Sequence, residues 1–84
     1  MERNYRVDAG KLRSMREEAG LTVAGLADRA GVHAYQLMLV EGQGYVPTLT
    51  VLRRVTQALD IPAHSVIEWS AEMPLRESLG EVSP

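Results

Sequence analysis

Apolar residues recur at helical spacing in successive stretches of the chain, and glycines or prolines separate those stretches. The first stretch follows Asp8, a residue type suited to an N-cap, and sets Leu12 and Met15 three apart on one face before Gly20 stops it. The second opens at Thr22 and carries Leu26 and Ala27 to Ala30-Gly31, where glycine suits a left-handed turn position. The third, residues 33–41, places Leu37 and Val40 three apart and ends at Gly42-Gln43-Gly44. After Pro47-Thr48, Leu49, Leu52, Val55 and Leu59 recur at threes and fours, the strongest amphipathic stripe in the chain. Pro62 then opens a short helix over residues 63–69, with Trp69 as a lid on the core. The pattern predicts five helices and no strand hairpin.

Length bounds this picture, because 84 residues suffice for one hydrophobic core and not for two. Residues 1–70 read as the folded domain. Residues 71–84 hold Pro74, Gly80 and Pro84 with Leu75, Leu79 and Val82 among polar neighbours, and read as a flexible C-terminal tail. The chain has no cysteine, which excludes disulfides and thiolate metal sites and leaves helix packing to carry stability. It also lacks any apolar run of about 20 residues, so the sequence predicts a cytoplasmic protein without a membrane partner. The formal net charge is −2, and the tail accounts for it: Glu72, Glu77 and Glu81 oppose Arg76 there, leaving the rest of the chain balanced. A balanced domain neither requires nor excludes nucleic acid as a partner.

Two short helices joined by a glycine-containing turn, residues 22–29 and 33–41, form an arrangement whose second helix fits a DNA major groove about 12 Å wide. The residues around that turn extend the pattern. Leu12-Arg13-Ser14-Met15-Arg16-Glu17-Glu18-Ala19-Gly20-Leu21-Thr22, followed by Leu26-Ala27-Asp28-Arg29-Ala30-Gly31-Val32, resembles the lambda-repressor-like (Xre-type) helix-turn-helix family. Val40-Glu41-Gly42, Pro47-Thr48-Leu49, Leu52 and Ala58-Leu59-Asp60-Ile61 continue the likeness, which covers residues 8–69. It implies a compact all-α, five-helix domain with the helix-turn-helix at helices 2 and 3. The expected core is Leu26, Ala27, Val32, Leu37, Val40, Leu49, Leu52 and Leu59.

The same resemblance implies roles for individual residues. Arg16 and Glu41 form a structural ion pair. His33, Ala34, Tyr35, Leu39 and the neighbouring Gln36 face base edges, while Thr22, Val23, Gln43, Gly44 and Tyr45 lie near phosphates. The implied function is a DNA-binding transcriptional regulator, a repressor acting as a homodimer on double-stranded DNA.

The third helix departs from the family's usual pattern. Where the family commonly carries Gln at the position of Val23 and Arg, Gln, Ser or Thr across the exposed face, this chain has Ala34, Tyr35, Met38 and Leu39. No guanidinium is available there to read guanine, although apolar side chains can contact the methyl group of thymine. Tyr35, Met38 and Leu39 also suit a second reading, a protein-interaction module that keeps the helix-turn-helix scaffold.

Enzymatic chemistry has no support in the sequence: no nucleophile stands with a base, and there is no glycine-rich phosphate loop. His33 and His64 fall in separate helices, without carboxylates at ligand spacing, so neither a metal nor a cofactor is expected. The pairs Arg13 with Glu17 and Arg53 with Gln57 stand four apart and mark solvated helix faces.

Overall fold

Asp8, Thr22 and Thr48 each turn a side-chain oxygen back onto the helix that follows, accepting from the backbone N–H of Lys11, Gly25 and Val51. These caps satisfy donors that a helix start leaves unpaired. The computed structural model describes residues 4–69. Within them, α1 spans Ala9–Glu18, α2 Val23–Ala30, α3 Ala34–Gln43 and α4 Leu49–Ala58.

The helix ends follow one device three times. In a Schellman ending, a left-handed residue lets two successive N–H groups fold back onto carbonyls of the last turn. Gly20 and Leu21 donate to the carbonyls of Glu17 and Arg16, Gly31 and Val32 to those of Asp28 and Ala27, and Asp60 and Ile61 to those of Gln57 and Thr56. Gly20 and Gly31 adopt φ of 73° and 72°, a region glycine enters without penalty, whereas Asp60 holds φ of 60° with a Cβ in place. The third helix ends later than its glycines predict. Gly42 stays helical, and the stop falls at Gly44, whose φ is 75°.

The predicted fifth helix is replaced. Ala63–Ser65 form a single 3-10 turn, and Ile67–Trp69 then run as strand β2, antiparallel to strand β1 at Tyr5–Val7. Tyr5 pairs with Trp69, Arg6 with Glu68 and Val7 with Ile67. Ser65 Oγ donates to the Pro62 carbonyl at 2.6 Å, closing the turn locally. The β-branched and aromatic residues of both segments then prefer extended pairing to further helix. The described residues therefore comprise four α-helices with a two-stranded sheet, a helical domain whose described ends are tied together.

The core gathers Leu12, Leu26, Ala27, Ala30, Leu37, Val40, Val55 and Val66. Val32 and Leu59 pack against it while half-buried, whereas Leu49, expected inside, opens α4 at a half-buried position outside the cluster. Tyr5, ahead of the first periodic stretch, and Val66, within the segment expected as a fifth helix, are also buried. Tyr5 donates its hydroxyl to the Pro47 carbonyl at 2.7 Å and meets Trp69 edge to face at 5.6 Å. Trp69 is thus no core lid: half its surface is open, and its ring rests on Tyr5. The expected tail, residues 71–84, lies outside the described residues.

Candidate functional site

The turn between α2 and α3 is shaped by a few residues on either side of Gly31. Thr22 caps α2 at 3.0 Å from the Gly25 N–H, and a Cβ at Gly25 would stand only 3.2 Å from the Thr22 hydroxyl. Glycine there leaves room for the cap. At the other end, the left-handed Gly31 redirects the chain through Val32 into α3. A Cβ at Gly31 would meet Arg54 Nη1 at 3.4 Å, so the turn is also held close to α4.

Arg16 joins this unit to α1. Its Nε and Nη2 donate to Glu41 Oε2 and Oε1 at 2.8 and 2.9 Å, and its Nη1 donates to the Leu21 carbonyl at 2.7 Å. The side chains are 11% and 3% exposed, so the pair sits in a low-dielectric setting with its forked geometry satisfied. Hydrogen bonding to Glu41 raises the Arg16 pKa further above its ordinary value, against the opposing effect of burial. Arg13, expected opposite Glu17, instead places Nε 3.4 Å from Glu41 Oε1. One carboxylate therefore collects two guanidinium groups from α1 and fixes α3 against it.

This arrangement leaves α3 with an uncharged outer face. Glu41 is the helix's single charged residue, and its carboxylate is turned inward to Arg16. Tyr35 and Met38, three apart and thus on one face, are 68% and 56% exposed. Leu39 borders them half-buried, and Gly42, four beyond Met38, has open space where a side chain would stand.

The residues named from the sequence divide into two groups. His33 lies exposed at the start of α3, with no side-chain cap bond, and Tyr35, Gln43 and Tyr45 are exposed on or just beyond the same helix. Thr22 is exposed, yet its hydroxyl is engaged as a cap. Val23 and Ala34 pack against the core, which removes most of each side chain from an outer surface. Gln36 is half-buried and borders an apolar crevice with Val32 and Val51. Gln43 belongs to α3 itself rather than to the loop after it. Met38 and Gly42 complete the exposed face, and the spacing of Tyr35, Met38 and Gly42 was the signal for them. Among the described residues no set of three histidines and carboxylates gathers as metal ligands, and no helix is long and apolar enough to cross a membrane.

The helix-turn-helix domain family model matches residues 9–69. The chain belongs to the helix-turn-helix family. Its helix-turn-helix unit, α2 with α3, occupies the place that the lambda-repressor-like resemblance implies. The N-terminal DNA-binding domain of SinR from Bacillus subtilis is 28% identical over 68% of this chain and 84% of that one, with a TM-score of 0.65. SinR in complex with DNA, the master regulator for biofilm formation, is 28% identical over 68% of this chain and 92% of that one, with a TM-score of 0.64. The SinR–SinI protein complex, at 24% identity, shares the fold over 88% of this helix-turn-helix chain and 68% of the other, with a TM-score of 0.67. No curated protein matches the chain in sequence.

Proposed function

We propose that this chain is a DNA-binding transcriptional regulator, a repressor, that lays α3 in the major groove of double-stranded DNA. The observation that carries the reading is the α2–turn–α3 unit, closed at Gly31 and locked by Arg16 to Glu41, with the Tyr35 and Met38 face of α3 turned outward. Its likeness to SinR, solved in complex with DNA, supports DNA as the partner. In this reading Tyr35, Leu39, His33 and Gln36 approach base edges, and Ala34 sits between them. Phosphates are met at Thr22 and Val23 through the backbone of the α2 start, and at Gln43 and Tyr45 around Gly44. The working form is a homodimer in the cytoplasm, with two copies of α3 in successive major grooves about 34 Å apart on a near-palindromic operator. No catalytic role accompanies it.

The test is fluorescence anisotropy of the purified chain on fragments of its source genome at low and physiological salt. Binding that enriches a near-palindrome and falls as salt rises supports the reading, because phosphate contacts release counterions. Tyr35→Ala weakens that binding. Flat curves at both salts defeat it. They favour the second reading, a protein-interaction module, which rests on the exposure of Tyr35 and Met38 without any charge beside them on α3.

A further inference from the structure

The outer face of α3 restricts which base pairs it can read, an inference that rests on the DNA-binding reading above. Tyr35 and Met38 supply most of the exposed side-chain surface, Leu39 flanks them, and Gly42 contributes bare backbone one turn beyond Met38. The helix's one charge is consumed by Arg16, and Gln36 is half-withdrawn toward α4. In the major groove, guanine presents two acceptors, and the methyl at C5 of thymine is the apolar group a base pair offers. Both A·T and G·C present two acceptors and one donor there, so an apolar face strips water from as many polar groups over either pair. Over thymine the same face also buries a methyl group, a gain that a G·C pair does not offer. The methyl therefore sets the direction of selectivity.

We infer that α3 selects A·T-rich half-sites by packing Tyr35 and Met38 against thymine methyl groups, rather than by hydrogen-bonding guanine. Gly42 serves this by letting the backbone approach the groove floor without an intervening side chain.

Uracil tests the idea because it keeps every hydrogen-bonding atom of thymine and lacks only the methyl. A duplex enriched by the full chain from a random-sequence pool is synthesised with thymine and with deoxyuracil, and affinity is measured for both. The expected result is an A·T-rich half-site whose affinity falls about fourfold for each contacted methyl removed. Met38→Ala and Tyr35→Ala, both at exposed positions, bring the thymine-to-uracil ratio toward one. Equal affinity of the wild-type chain for the two duplexes overturns the inference and leaves the DNA-binding reading standing. A ratio that neither variant changes also overturns it, because the methyl would then act through duplex shape. Failure to enrich any duplex removes the DNA-binding reading and this inference together.

Discussion

Arg16 and Glu41, 25 positions apart, meet through two guanidinium nitrogens and both carboxylate oxygens, at 2.8 and 2.9 Å, with little of either side chain in contact with solvent. Removing one partner leaves a desolvated charge, so Arg16→Ala or Glu41→Ala should cost about 3–5 kcal/mol in urea unfolding. Arg16→Lys keeps the charge but loses the fork and the bond to the Leu21 carbonyl, and should fall between wild type and alanine. Replacing both residues by methionine should recover most of the loss.

The pH dependence of that pair follows from the arginine's raised pKa. A base with a higher pKa folded than unfolded stabilises the fold at every pH below its unfolded value. The contribution disappears only as pH climbs through the folded value. Because an unfolded arginine already titrates well above the neutral range, the titration of Arg16 should leave stability level between about pH 7 and about pH 10. A urea midpoint that drifts across that window in the wild type and not in Arg16→Met would contradict this.

Asp60 occupies a left-handed position that its counterparts at the ends of α1 and α2 fill with glycine. Asp60→Gly relieves the Cβ without touching the two backbone bonds that end α4. It should raise stability by about 0.5–1 kcal/mol, seen as a higher thermal midpoint. Gly31→Ala should do the reverse by about 1–2 kcal/mol, since it adds a Cβ at positive φ against Arg54.

Gly42 is an exposed helical glycine with room for a side chain, and Gly42→Ala should stabilise the isolated chain by about 0.5–1 kcal/mol. DNA affinity measured on the same variant should fall, because the added methyl lifts α3 from the groove. Unchanged stability would show that this glycine is not helical in solution.

Tyr5 joins the strand pair to the loop before α4 through a hydroxyl bond spanning 42 positions. Tyr5→Phe should cost about 0.5–1.5 kcal/mol by stranding the Pro47 carbonyl, and Trp69→Ala a similar amount through the lost edge contact. Amide exchange at residues 5–7 should accelerate in both variants, ahead of exchange within α2 and α4.

Local chemistry made most of the helical frame legible. Asp8, Thr22 and Thr48 stand where caps belong, and Gly20 and Gly31 end their helices because only a residue without a Cβ turns left-handed freely. Leu26, Leu37, Val40 and Leu52 announce their burial by spacing alone. The strands were opaque for the opposite reason. Three-residue segments at 5–7 and 67–69 have no turn between them to signal a hairpin, and the whole helical frame separates them in the chain. Which glycine of Gly42-Gln43-Gly44 ends α3 was equally a tertiary matter, since Glu41 is held on α1 by Arg13 and Arg16.

The sequence by itself determined where the α-helices start, where two of them stop and which stripes go inward, because caps, glycines and apolar periodicity act within one or two turns of backbone. The tertiary structure alone decided that residues 67–69 become a strand, that Arg13 joins Arg16 on Glu41, and that Val23 and Ala34 turn toward the core while Tyr35 and Met38 stay outside. Those outcomes depend on which surfaces meet across the domain, where burial and long-range hydrogen bonds outweigh local preference.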